Sequence, residues 1–179
     1  MAWIEVVDAH QASGQLRELY EKQTAALGGP TDLTMVGSLY PDLSLVRASL
    51  YQVVEGCPSS FTPKERQAMA VALAGSLRSE HLSSGVEHKF LAVGGSAEEI
   101  TRLRIGDFSG FSPKVSAAGA YALKVALAPA SVQSGDVQLC RAAGASDLDV
   151  LDANSLASYY SYLASICLGL GLLERIPFD

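Results

Sequence analysis

The sequence predicts an all-α, single-domain helical bundle of about seven or eight helices. Three observations predict it. No segment keeps a two-residue alternation of apolar and polar side chains between turn signals, so no strand is expected. Helix-start and helix-stop residues recur along the whole chain. Between them, apolar residues fall at helical spacing.

The first helix is expected over 15–27, where Leu16, Leu19, Tyr20 and Leu27 recur before the Gly28-Gly29-Pro30 stop. Pro41 suits the first turn of the next, because its missing N–H has no partner to lose there. That helix runs to about Gly56, with Leu43, Val46, Leu50, Tyr51 and Val54 inward. Thr62-Pro63-Lys64-Glu65 is a capping box with Pro at the first helical position. An apolar helix follows through Met69, Val71, Leu73 and Leu77. It continues into a polar, histidine-bearing stretch from Arg78 to His88 and runs out at Gly94-Gly95.

Ser96-Ala97-Glu98-Glu99 is a second capping box and opens a short helix ending near Ile105. Ser112-Pro113 opens another, with Tyr121, Leu123, Val125 and Leu127, ended by Pro129. Ser134 starts a helix to Ala143, with Gly144 as its left-handed stop. Ser146-Asp147-Leu148-Asp149 starts the last helix. It is apolar nearly all round through Tyr159, Tyr160, Leu163, Ile166 and Leu170, so it is expected to be buried. Gly169-Leu170-Gly171 follows a helix and lacks Lys, so it is a stop and not a phosphate loop. Residues 94–100 and 144–150 echo each other, as one helix-stop, helix-start device used twice would.

Composition limits the function. The 179 residues carry 13 basic and 19 acidic side chains, a net charge of −6. Apolar residues are 49% and charged residues 18%, which excludes a disordered chain. A domain of this length buries roughly 70% of its unfolded surface and needs no staples. The acidic balance, with no Lys/Arg cluster, excludes a nucleic-acid partner. The longest apolar stretch, Leu163 to Leu173, is too short to span a bilayer, so no membrane partner is expected. The N-terminus has no basic start and no long apolar run, unlike a signal peptide. Cys57, Cys140 and Cys167 are far apart, odd in number and form no Cys-x-x-Cys pair. Buried packing is expected of them, not disulfides or zinc. A soluble, reducing, cytoplasmic setting follows.

One polar constellation can carry chemistry. His81 and His88 are seven residues apart, hence on one helix face and about 10 Å apart along the axis. Ser84 lies between them, and Glu80 and Glu87 flank them. Neutral imidazole serves as base or acid near pH 7 without large tuning. Two of them at this separation can bracket a small-molecule substrate. They are too far apart to share a metal, since zinc-binding helices use i and i+4. No metal and no cofactor are therefore expected. The same residues, with Arg78 and Lys89, also describe a solvated charged face with favourable i to i+4 neighbours. His10, near the N-terminus, is expected at the surface. Tyr159, Tyr160 and Tyr162 suit core packing, or a pocket wall offering hydroxyls. Asn154 needs a partner on another helix if buried.

Read in order, the chain resembles the peroxidase-related branch of the alkyl hydroperoxidase D / carboxymuconolactone decarboxylase superfamily. The resemblance runs from Met1 to Ile4 and Gly14 to Tyr20, through Thr62-Pro63-Lys64-Glu65-Arg66. It is strongest in Tyr121 to Lys124, Pro129 to Val132, Asp136-Val137, Leu139 to Gly144 and Gly169 to Gly171. It implies an alkyl hydroperoxidase D-like all-α fold and homo-oligomers, trimers or hexamers. It also implies a redox motif: Cys-x-x-Cys, a His four residues beyond, and a Glu twelve residues before the first Cys. Laid on without gaps, that motif falls on Gln67, Ser79, Leu82 and Val86, and all four are replaced. A two-residue shift puts His81, Ser84 and His88 on Cys, Cys and His, again with no thiol.

Peroxide reduction needs one thiolate to attack and a second thiol to resolve the sulfenic acid. The expected function is therefore a cofactor-independent acid–base enzyme of a small organic molecule, a lyase, decarboxylase or isomerase. His81 is its base or acid, His88 its partner, and Gln67, Ser79 and Ser84 orient substrate. The alternative is a non-catalytic oligomeric binding or scaffold protein whose old pocket has filled, favoured by apolar Leu82 and Val86. Residual hydroperoxide reduction is a third reading.

Overall fold

Capping chemistry sets the helix starts. In the computed structural model, which describes residues 2–176, Thr62 accepts from the Glu65 backbone N–H while Glu65 accepts from that of Thr62. Ser96 and Glu99 do the same. The described residues form nine α-helices and one 3₁₀ turn, with no strand. They are α1 (Gly14–Leu27), α2 (Asp32–Val36), α3 (Pro41–Glu55), α4 (Pro63–Ser76), α5 (Glu80–Ala92), α6 (Ala97–Leu103), α7 (Pro113–Leu127), α8 (Ser134–Ala142) and α9 (Asp147–Leu170), with the 3₁₀ turn at Pro129–Ser131. The all-α class is borne out. The 94–100 and 144–150 echo is one device used twice: Gly94 and Gly144 both take positive φ, and Ser146 and Asp149 repeat the reciprocal cap of Ser96 and Glu99.

The chain forms two compact units. One comprises the chain up to Gly56 with Ile166–Leu172; the other comprises Cys57–Ser165 and the chain from Leu173 on. Because each unit takes chain from two places, no single linker marks the boundary, and the sequence shows none. In the first unit α1 packs on α3, and Ala12, Leu16 and Tyr20 form a small core with Val7 and Met35. The Tyr20 hydroxyl donates to the Val7 carbonyl at 2.9 Å. Leu27, at the end of α1, is exposed.

α3 reverses the expected face. Of the five residues expected inward, only Val54 is buried; Leu43, Val46 and Leu50 are exposed and Tyr51 is intermediate. The inward side chains are Ser44, Arg47 and Val54. The cause is local. The Arg47 guanidinium donates to the Leu33 carbonyl near the middle of α2 and to Ser44 Oγ at 3.3 Å. A Cβ on Gly37 would meet Ser44 Oγ at 2.3 Å, so the α2–α3 turn closes tightly enough to require glycine there. An arginine that satisfies a carbonyl outweighs an apolar stripe with nothing to bury it.

In the second unit α4 is central, packed on α5, α6 and α7 and buried from Arg66 through Ala74. Two carboxylates near the start of α9 hold the loop before it. Asp152 accepts from Arg66 Nε and Nη2, both at 2.9 Å, and Asp149 accepts from the Ser60 N–H at 2.7 Å. Burial alone would push the Asp149 carboxyl up, but N–H and hydroxyl donors from Ser146 and Ser60 outweigh it and hold it at about 2. Asn154 on α9 finds its partner on another helix, donating to the Tyr121 hydroxyl of α7 at 3.1 Å. Tyr159 and Tyr160 are buried edge to face, with Tyr162 partly exposed. No helix of the described residues is long and apolar enough to cross a membrane.

Candidate functional site

The expected continuous helix from Thr62 to His88 is in fact two. α4 ends at Ser76, and Arg78 takes a left-handed φ of 56°. Ser79 then caps a new helix, its side chain accepting from the Leu82 N–H at 3.4 Å. No Gly or Pro marks the break. The conformation at Arg78 is one that L residues adopt rarely, and tertiary packing holds it there. The α4–α5 hairpin so formed lays the histidine-bearing stretch against α4.

Along α5, His81, Leu82, Ser83, Ser84, Val86 and Glu87 are all buried. His88 is exposed. Gln67 is buried on α4, and Ser79 is fully buried with its hydroxyl turned to its own helix start. The row Ser79–Leu82–Val86 and the row His81–Ser84–His88 are two residues out of step, and so face different directions on the helix.

Leu173–Ile176 lie over His81 and Ser84. Nδ1 of His81 is 3.2 Å from the carbonyl oxygen of Glu174. A carbonyl can only accept, so Nδ1 carries the proton in that bond, and in the neutral ring Nε2 holds the lone pair. Ser84 Oγ donates to the His81 carbonyl at 2.8 Å and accepts from the Ile176 N–H at 2.9 Å. Between these two backbone contacts Arg175 reaches the acidic row. It pairs with Glu80 Oε2 at 2.9 Å and with Glu87 Oε2. Arg104, just past α6, pairs with Glu80 and lies 3.5 Å from Glu87 Oε1. A Cβ on Gly75 would come within 2.8 Å of the Arg104 backbone, so that glycine lets Arg104 sit beside α4. Arg175, then Arg104, hold the Glu80 carboxyl below its usual range, and Glu87 pushes the Arg175 guanidinium up.

The structure therefore brings His81 and Ser84 together beneath Leu173–Ile176 and leaves His88 exposed. Arg104 and Arg175 were missed from the sequence. The signal for them is indirect: Glu80 and Glu87 are seven apart on one helix row, and two carboxylates on a largely buried helix need cations. The cysteines stand elsewhere. Cys140 and Cys167 are buried, on α8 and α9, and Cys57, in the loop before α4, is partly buried instead of packed away. Burial pushes the Cys57 and Cys140 thiols up, the wrong direction for a nucleophile. Two open grooves, along α8 and along α1, include no residue of α5.

No protein-family model matches this sequence, and no curated protein matches it. Solved structures do. An uncharacterised peroxidase-related protein from Ralstonia eutropha JMP134, described as an alkylhydroperoxidase AhpD core, superposes with a TM-score of 0.86 at 15% identity, over 99% of this chain and 93% of its own. A peroxidase-related protein from Silicibacter sp. TM1040 superposes at 0.77 and 14%, over 92% and 89%. The debrominase Bmp8, as a cysteine-to-alanine variant in complex with 2,3,4-tribromopyrrole, superposes at 0.73 and 15%, over 94% and 91%. At these identities the likeness is one of fold. The chain has the alkyl hydroperoxidase D-like fold that the order of its motifs implies.

Proposed function

We propose that this chain puts the alkyl hydroperoxidase D-like fold to work without thiols, as an acid–base enzyme acting on a small organic molecule, with His81 as the proton-transfer group. The observation that carries this reading is the state of His81: buried, and oriented through Nδ1 by a backbone carbonyl. An imidazole so held presents Nε2 as a base in a fixed direction, the arrangement proton abstraction beside a carbonyl requires. Ser84, already hydrogen-bonded to the His81 backbone, is the nearest hydroxyl on the same row. Gln67 and Ser79, buried but off the His81–Ser84 row, carry no proton-transfer role in this reading. The exposure of His88 leaves proton transfer to His81 alone. The tribromopyrrole complex of the debrominase supports a small ring-bearing substrate for this fold. Lyase and isomerase reactions begin with that proton abstraction, whereas in a decarboxylase the same imidazole, protonated, would return a proton to the enolate left when the C–C bond to CO2 breaks.

The test is turnover of a panel of small lactones, β-keto acids and enolisable cyclic ketones, with exchange of the acidic C–H into deuterated water as a second readout. His81→Ala is expected to lose on the order of 100-fold or more, and His88→Ala to stay within about threefold of the parent. Equal rates in both variants would sink the proposal. A second reading has its own support: buried Leu82 and Val86, and a strap over the histidine, suit a non-catalytic binding protein. Tight binding of panel members without turnover by the parent favours that reading.

A further inference from the structure

We infer that Leu173–Ile176 is a strap that closes the α5 site and must lift before anything larger than water reaches His81. The inference rests on His81 as the working group for its purpose, but not for its geometry. The chain leaves α9 at Leu170 and turns at Gly171, whose φ is 86°. Leu173–Ile176 run without helix or strand. Leu173, Glu174 and Arg175 are exposed on their outer side, while His81 and Ser84 beneath them are buried.

Among the described residues four polar contacts hold the strap to α5: Glu174 O to His81, Ile176 N–H to Ser84, and the Arg175 guanidinium to Glu80 and Glu87. The two backbone contacts fix its register. The guanidinium supplies the closing force, and it can be weakened from outside. The side chains of Arg175 and Glu80 are each 45% exposed, so salt screens that pair, while the Glu87 carboxylate beneath is nearly enclosed. A segment with no backbone ladder, held by side chains of one helix, belongs to the parts of a fold that open first. When it lifts, Glu80 and Glu87 keep Arg104 as a cation, so the open state does not strand two bare carboxylates. His81 Nδ1 and Ser84 Oγ lose their backbone partners on the strap while it is up and regain them when it closes, so the orientation that the acid–base reading needs belongs to the closed state.

The experiment is carbethoxylation of histidines by diethyl pyrocarbonate, followed residue by residue by mass spectrometry. In the parent protein at low salt, His81 is expected to react much more slowly than His88 or His10. In Arg175→Ala its rate is expected to rise roughly three- to tenfold, with His88 and His10 unchanged, and Arg175→Lys is expected to fall between. In the parent protein, raising sodium chloride to about 1 M, where the screening length falls to ~3 Å, is expected to shift His81 the same way. Unchanged His81 labelling in both the variant and the salt series would overturn the strap. If Arg175→Ala accelerates all three histidines together, the variant has loosened the fold, and the salt series on the parent decides alone. The readout needs no turnover. A failed His81→Ala activity test with salt-dependent labelling removes the enzyme and keeps the strap, and the reverse pattern does the opposite.

Discussion

Helices α3 and α5 both bury polar side chains, and they do it by opposite means. In α3, Arg47 and Ser44 face inward, and the Leu33 carbonyl that Arg47 satisfies lies 14 residues back in the chain. In α5, His81, Ser84 and Glu87 face inward, and the groups that satisfy them, from Glu174 to Ile176, come 88 to 93 residues later. The first arrangement forms with its own turn and has nothing to release. The second exists only while a distant segment lies in place. Local satisfaction makes a fixed joint, whereas remote satisfaction by an exposed segment makes one that opens.

Two arginines test that contrast most sharply. Arg47 is 6% exposed, and replacing it with Ala leaves the Leu33 carbonyl without its donor and a gap beside Gly37. Urea unfolding is expected to show a loss of about 2–3 kcal/mol. Arg175 makes as many contacts, but at 45% side-chain exposure its removal is expected to cost under about 1 kcal/mol of global stability. Its effect belongs in the labelling of His81. Equal losses from the two variants would erase the distinction.

A middle-sized effect concerns Asp149, whose donors Ser60 and Ser146 lie in different parts of the chain. Its folded pKa of about 2 lies below the ordinary aspartate value of 3.8. A depressed carboxyl contributes stability that is complete above its unfolded pKa and disappears as pH falls through the folded one. Between about pH 5 and pH 2 the parent protein is therefore expected to lose roughly 2 kcal/mol that Asp149→Asn does not lose. Parallel pH curves for the two proteins would refute this.

The smallest effect compares neighbours on α3. Val54 is 7% exposed and Val53 71%. Val54→Ala is expected to cost about 1–2 kcal/mol and Val53→Ser less than about 0.5. The reverse order would contradict the burial of Val54, the one α3 position on which the apolar spacing and the structure agree.

That face shows where the sequence was legible. Helix starts at Thr62, Ser96, Ser112 and Ser146 are visible because capping is a local bond between residues three apart. The stops at Gly94, Gly144 and Gly171 are visible because only glycine takes positive φ cheaply. The break at Arg78 is invisible, since nothing local favours a left-handed arginine. The inward face of α3 is invisible too: its apolar residues outnumber its polar ones, and only the position of the Leu33 carbonyl decides. At the site, His81 and Ser84 can be chosen from spacing and chemistry, but their separation from His88 cannot. Two histidines seven residues apart on one helix row look equivalent until a distant segment covers one of them.

The chain by itself determined the helical class, most helix boundaries and the absence of any Cys-x-x-Cys pair. These depend on bonds between near neighbours, or on which atoms are present at all. Tertiary structure alone decided which side of α3 is inside, where α4 gives way to α5, and that Arg104 and Arg175 attend Glu80 and Glu87. Those outcomes depend on partners tens of residues away, whose approach no local pattern encodes because burial is a property of the folded whole.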